Sequence, residues 1–249
     1  MDYFKTRRTI RRYSDRPLSD ELIADMLDKA IHAPTCGSMQ LYSVVVTRSD
    51  EGKSALAPAH FNQPCLTGAQ AVLTFCADFN RFTRWCEQRG ADPGFDNVQS
   101  FISAALDATI LAQQFVTIAE MNGLGTCYLG TTSWNAPMII DALSLPELVV
   151  PVITVTVGYP AESPEVQPRL PVSAFIHTEK YNPNSSERID SMYGEFENLP
   201  ANRAYVTENK KDSLAHVFTD VRYPREANEH FSHIFTEMLR KAGFLAEKA

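Results

Sequence analysis

Residues 96–122 place Val98, Phe101, Ile102, Ala105, Ile110, Ala112, Phe115, Val116 and Ala119 around nearly the whole circumference of a helix. A helix apolar on most sides must be covered on most sides, so it belongs at the centre of a domain or of a dimer. Asn122-Gly123 supplies its stop, because glycine takes the left-handed conformation that closes a helix C-terminus.

The rest of the chain arranges itself around that helix. Pro17-Leu18-Ser19 predicts a helix entry, with Ser19 as cap and Leu18 stapled onto Ile23. Leu22, Ile23, Met26, Leu27, Ala30 and Ile31 then form one stripe that stops at Ala33-Pro34. The β-branched runs 42–47, 71–76 and 152–157 read as buried strands, and 124–130 as a shorter one. A further short helix follows Asn135 and ends at Leu145-Pro146. Helices alternating with strands predict an α+β (mixed α/β) fold with a central mixed sheet surrounded by helices.

Beyond Tyr159-Pro160 the texture changes, and residues 160–228 are rich in Pro, Asn, Glu and Lys. Phe231, Ile234, Phe235, Met238 and Leu239 then recover a helical stripe that ends at Gly243. The expected division is therefore a core over residues 1–180 and a C-terminal arm and helix over 181–249. The arm's helix docks either on a neighbouring subunit or back on its own chain.

A net charge of -7 disfavours a polyanion partner, since a nucleic-acid binder shows a basic footprint. Five cysteines without a C-x-x-C pair suit a reducing cytosol. The start of the chain has no apolar leader, and neither an export signal nor a membrane span is expected. A cytoplasmic protein is expected.

Against this acidic background, Arg7-Arg8-Thr9-Ile10-Arg11-Arg12 concentrates guanidinium groups. Were the run helical, Arg7 and Arg11 would share a face at i,i+4 beside the Thr9 hydroxyl. That is the composition of a phosphate clamp, each charge-assisted bond worth roughly 1.5–3 kcal/mol. A solvated basic face explains the same residues. Arg169, braced between Pro168 and Pro171, sits on stiff backbone suited to a ligand contact or to a plain ion pair.

Other motifs lead nowhere. Gly123-Leu124-Gly125 follows a helix and precedes a strand, the reverse of a dinucleotide-binding loop. His230 and His233 lie at i,i+3 without further ligands, so no metal site is expected. Cys36 lies in a Gly/Ser loop with nothing adjacent to generate a thiolate.

The ordered set of motifs resembles the nitroreductase superfamily, in the branch of the oxygen-insensitive NADPH nitroreductases and the flavin reductase of luminous bacteria. It comprises Arg7-Arg8-Thr9-Ile10-Arg11, Ala33-Pro34-Thr35-Cys36-Gly37-Ser38-Met39-Gln40 and Asn62-Gln63-Pro64. Phe75-Cys76-Ala77-Asp78-Phe79-Asn80-Arg81 and Gly123-Leu124-Gly125-Thr126-Cys127-Tyr128-Leu129-Gly130 follow, then Gly158-Tyr159-Pro160-Ala161 leading to Pro168-Arg169-Leu170-Pro171.

The resemblance implies an intertwined homodimer that binds FMN and passes hydride from NADPH or NADH to nitroaromatics, quinones or flavins in ping-pong fashion. It places the FMN phosphate at Arg7, Thr9 and Arg169, with Arg8 and Gln167 beside them. Gln40 and Gln63 would bond the pyrimidine edge, and Thr35, Cys36 and Gly37 would lie along the ribityl and dimethylbenzene side. Tyr128, Leu129, Gly130 and Thr131 would pass near N5. Arg11 would sit by the N1/O2 edge, where ~4 Å and an effective dielectric of ~20 give about 4 kcal/mol. For a two-electron couple that is of the order of 90 mV of raised potential.

No catalytic side chain is implied, because hydride transfer needs stacking and distance control more than an acid or base. Arg203, with Lys210 and Lys211, lies where NADPH-preferring relatives contact the extra phosphate. Gln167 departs from a common lysine, Cys36-Gly37 from a serine-rich loop, and Thr131 from a small glycine.

Two rivals stand beside this reading. One keeps fold and flavin but does other chemistry, such as dehalogenation or flavin fragmentation. The other is a non-enzymatic protein whose basic N-terminus binds an anionic partner or flavin. On the family reading, Arg169→Ala weakens FMN retention and leaves the fold intact; an unchanged flavin dissociation constant would refute the assignment.

Overall fold

The computed structural model describes residues 2–245. They divide into two compact units, one running to Glu165 and resuming at Phe231, the other Val166–His230. The expected boundary near residue 180 therefore falls earlier, and the terminal stripe from Phe231 returns to the first unit.

In the first unit the elements run α1 (Tyr3–Thr6), α2 (Asp20–Ala30), β1 (Tyr42–Thr47), α3 (Asp50–Leu56), α4 (Pro64–Thr67), β2 (Ala71–Asp78) and α5 (Asn80–Gln88). They continue with α6 (Val98–Met121), β3 (Gly125–Leu129), α7 (Ala136–Leu143) and β4 (Val149–Gly158). The second unit holds α8 (Ser186–Glu197), α9 (Pro200–Glu208), α10 (Leu214–Val217) and the start of α11 (Arg225–Lys241).

The strands form one sheet of order β1-β2-β4-β3. All of its pairings are antiparallel, so the expected mixture of strand directions is not found among the described residues. Every residue of β2 is buried, as a central strand covered on both faces requires. The register shifts between Phe75 and Cys76, opposite Pro151, and such a bulge accommodates a proline that has no N–H for the ladder.

The sheet separates two apolar layers. On one side Leu73, Phe75, Val155 and Val157 pack with Ile23, Met26 and Ala30 of α2 and with Leu111, Phe115 and Ala119 of α6. On the other, Val72, Cys127 and Leu129 pack with Leu56, Leu66 and Ile139. A third cluster joins Leu41, Phe79, Ala104 and Val150 to Met238, Leu239 and Phe244, so the C-terminal stripe is docked on its own chain.

The helix signals operate as expected. Ser19 accepts from the Leu22 N–H at 3.2 Å, and Asn97 caps α6 by accepting from Ser100. Gly123 is left-handed at φ 78°, and Leu124 N–H closes back on the Ala119 carbonyl at 3.1 Å. Only one side of α6 is covered, however. Val98, Ile102, Leu106 and Ile110 form an i,i+4 stripe that stays 40–53% exposed. Of the described helices, α6 is the one long and apolar enough to cross a membrane, and its buried side is core of this unit.

Two segments take forms that their patterns left open. The arginine run is not helical: α1 ends at Thr6, Arg7 is extended at φ -59°, ψ 141°, and the chain follows the sheet edge. Ile10 N–H donates to the Thr126 carbonyl at 3.0 Å, and Tyr13 bridges to Pro160. Ile10 is buried against Gly125, where a Cβ would stand 2.6 Å from the Ile10 side chain. In extended backbone Arg7 and Arg11 stand about 13 Å apart, against about 6 Å on a helix.

The second is the polar arm, which folds into helices. Ser185 caps α8 by accepting from Arg188 N–H, Glu187 stands in its first turn, and Met192, Leu214 and Val217 are the buried positions.

Gly125→Ala is expected to destabilise the fold by about 1–3 kcal/mol, because the added methyl overpacks the Ile10 slot. Urea unfolding of the variant measures this, and an unchanged midpoint would show that the slot is slack.

Candidate active site

Two carboxylates on α6, missed in the sequence because the helix reads as apolar, hold the segments that carry the expected site residues. Asp107 is 1% exposed; its Oδ1 accepts from Cys36 N–H at 2.8 Å and its Oδ2 from Leu41 N–H at 3.2 Å. One side chain thus clamps both ends of the 36–41 loop. Gly37, Ser38 and Gln40 inside that loop are all left-handed. Gln40 donates to the Ser38 carbonyl at 3.3 Å, and its own carbonyl accepts from Arg81.

Cys36 Sγ donates to the Ser103 carbonyl at 3.8 Å. A hydrogen bond to Asp107, then burial, raises its pKa, so the thiol stays protonated and is no nucleophile.

Glu120 does the same for the N-terminal segment. It accepts from Tyr3 Oη at 2.7 Å, Thr126 Oγ1 at 2.5 Å and, bidentately, Arg7 Nε at 3.0 Å and Nη2 at 2.8 Å. Burial, helped by the bond to Glu120, pushes the Tyr3 phenol up to about 12. The Glu120 hydrogen bond likewise raises the Arg7 pKa.

Arg7 is therefore neutralised within the chain, which argues against its expected place in a phosphate clamp. Arg8 differs. Its Nη1 donates to Ser163 Oγ and to the Pro164 carbonyl, both at 2.9 Å, and it has no carboxylate partner among the described residues. Arg11 is exposed and also lacks an ion pair among them, whereas Arg12 bonds Glu162 at 3.0 Å. Thr9, half-buried, lies between the two uncompensated cations.

A third group forms where the 57–67 segment meets the turn after β3. His60 Nδ1 bonds Thr131 Oγ1 at 2.8 Å, and Asn135 Nδ2 donates to the Ala59 carbonyl at 2.9 Å. Gln63 is the N-cap residue of α4, and Tyr128 Oη donates to Gln113 at 3.3 Å. Leu129 is buried and Gly130 exposed. The Cys65 and Cys127 thiols bond each other; that bond lowers the Cys65 pKa, helped by the nearby Arg11 charge, and together with burial it raises that of Cys127.

The expected residues therefore do not gather at one place: Arg8, Thr9 and Arg11 lie on the segment that Glu120 fastens, while Gln63 and residues 128–131 lie with the third group. Thr35, Cys36, Gly37 and Gln40 belong at Asp107, about 20 Å from Glu120 along the helix axis at 1.5 Å per residue. Gln167, Arg169 and Arg203 lie in the second unit. There Arg169 Nη1 donates to the Gln167 and Pro168 carbonyls, and Arg203 to Asn198 Oδ1 at 2.6 Å. Lys211 pairs with Asp220 at 2.9 Å. A cavity of about 520 Å³ between α7 and α11 is lined by none of the expected residues.

Comparison with known proteins agrees with the motif order. The model of the nitroreductase family matches residues 4–159. A crystal structure of a chain from Bacteroides fragilis NCTC 9343 is 52% identical, covers 99% of this chain and 100% of its own, and superposes with a TM-score of 0.97. An FMN reductase (NAD(P)H) of Bacillus subtilis (strain 168) is 31% identical over 97% of this chain and 96% of its own. A Cr(VI) reductase of Pseudomonas sp. (strain G-1) is 30% identical over 98% of each.

His60 is fully buried, and burial lowers its pKa from 6.5 to about 4. The folded protein therefore holds it neutral while the unfolded chain protonates it below about pH 6.5. Its contribution is fully present above that pH and is lost as the pH falls toward 4, by up to about 3 kcal/mol at ~1.4 per unit. The fall in urea midpoint between pH 7 and 4.5 should be smaller in His60→Gln; parallel pH curves for variant and parent would contradict this.

Proposed function

We infer, because the chain belongs to the nitroreductase family, that it is an FMN-dependent NAD(P)H oxidoreductase reducing nitroaromatics, quinones or flavins. The observation that carries this reading is the pair of uncompensated guanidinium groups, Arg8 and Arg11, flanking Thr9 on the extended N-terminal segment. An acidic protein that leaves two cations without carboxylates on a fixed backbone is prepared for an anion. The donor set fits FMN: guanidinium groups and a hydroxyl for the phosphate, amides for the pyrimidine edge, and a turn for the ring.

FMN, when bound, supplies two-electron hydride chemistry. The protein's part is binding and charge. Arg8 and Thr9 hold the phosphate in place of the Arg7 grip expected from the motif, since Arg7 is committed to Glu120. Arg11 stabilises negative charge at the ring edge and so favours the reduced state. Gln40 and Gln63 bond the pyrimidine edge, Thr35, Cys36 and Gly37 line the ribityl side, and Tyr128, Leu129, Gly130 and Thr131 pass near the reacting ring atom. His60, neutral near pH 7, and Cys36, protonated, serve as fixed structure and not as acid or base.

The same reading makes the protein a cytoplasmic homodimer. The open stripe of Val98, Ile102, Leu106 and Ile110 calls for apolar cover. A twofold contact across it would set the Asp107-held loop of one copy toward the Glu120 end of the other.

Purified protein should be yellow, bleach anaerobically with NADPH and recolour on addition of a quinone or nitro compound. Arg8→Ala should raise the FMN dissociation constant by about tenfold or more, the loss of one charge-assisted contact. Protein that takes up no flavin sinks the reading.

A further inference from the structure

Phe61 is 53% exposed and holds a left-handed backbone at φ 52°, followed by Asn62 at φ 54°. An aromatic residue in this conformation is uncommon, and consecutive left-handed non-glycine residues persist only where surrounding structure imposes them. Here Phe61 N–H donates to the Pro58 carbonyl at 3.1 Å, and Asn62 N–H to the Ala57 carbonyl at 2.8 Å. The strained turn presents a large apolar ring to solvent where a polar residue would serve a loop better.

The ring is also braced. It makes T-shaped contacts with Trp134 at 6.3 Å and 76° and with Phe231 at 6.3 Å and 81°, while Trp134 and Phe231 stack on each other at 4.9 Å and 22°. These three rings come from three segments of the first unit, and two of those segments carry expected flavin contacts. Phe61 lies two residues before Gln63, and Trp134 three after Thr131. The His60–Thr131 and Asn135–Ala59 hydrogen bonds lock the two segments together. A half-exposed ring held this way is fixed in place beside the segments expected to meet the flavin.

We propose that Phe61, buttressed by Trp134 and Phe231, is the platform on which a planar aromatic electron acceptor is held, so that it sets the preference for flat aromatic acceptors over ringless ones. The proposal rests on the redox reading above. Electron-poor rings such as nitroaromatics and quinones stack favourably on electron-rich side-chain rings. Hydride transfer depends on stacking and distance more than on any proton-transferring group. An acceptor without a ring, such as hexacyanoferrate(III), gains nothing from the platform. Phe61 is thus a specificity-determining residue that binds the acceptor without taking part in bond making.

The test compares the holoenzyme with Phe61→Leu, which keeps an apolar side chain but removes the ring, and Phe61→Tyr, which keeps the ring. In Phe61→Leu, kcat/KM for menadione and nitrofurazone should fall about tenfold, chiefly through KM, while that for hexacyanoferrate(III) changes less than twofold. Phe61→Tyr should behave as the parent. Quenching of tryptophan fluorescence by nitrofurazone without NADPH, which needs no turnover, should weaken in parallel in Phe61→Leu alone. If both acceptor classes fall together, or neither falls, in a variant that still bleaches with NADPH, the platform is overturned and the redox reading stands. If the parent itself fails to bleach with NADPH, the redox reading is overturned and the platform with it.

Discussion

The architecture of the site depends on two charges placed on a helix that otherwise rejects them. Each carboxylate on α6 would be costly to bury unless fully bonded. Asp107 is satisfied by two backbone N–H groups of the 36–41 loop, Glu120 by Tyr3, Arg7 and Thr126. The penalty for leaving either unpaired is what holds the loop and the N-terminal segment in place. Because both anchors lie on one helix, the two halves of the expected site are positioned by a rigid rod.

That rod also has two unlike sides. The buried side of α6 covers the sheet through Leu111, Phe115 and Ala119, while the opposite stripe is apolar and open. A surface helix with this stripe would ordinarily be polar there. The sequence pattern of a helix apolar all round therefore asks for more cover than the described residues supply, which is cover for one side only.

What was legible in the sequence follows the strength of the periodic signal. Ser19, Asn122-Gly123 and the β-branched runs declared α2, α6 and the strands, since caps and alternation act locally. The conformation of the arginine run stayed open in the sequence, because arginine is a good helix former and the i,i+4 spacing would suit a helix. A tertiary contact, Ile10 in the slot left by Gly125, overrode propensity. Helices α8 and α9 were hidden because they bury little: Met192 is the sole buried residue of α8, and α9 has none, so no apolar stripe marked them. Asp107 and Glu120 were present in the sequence, but a charge within an apolar run carries no sign of its partner until the fold supplies one.

The N-terminal arginines show how partners, more than composition, decide function. Four guanidinium groups within six residues looked equivalent as a cluster, yet the fold gives them different roles. Arg7 is bidentate to Glu120 and fastens the segment; Arg12 is tied to Glu162, which also accepts the Arg11 and Arg12 N–H groups at 2.6 and 3.0 Å. Those two ion pairs at either end stretch the backbone between them along the sheet edge. The cations left over are the inner ones, Arg8 and Arg11, and a chain with a net charge of -7 leaves them uncompensated on a segment it has taken care to immobilise. Carboxylates that secure the flanks while sparing the centre concentrate positive potential at one place, the electrostatic condition for an anionic cofactor to bind there.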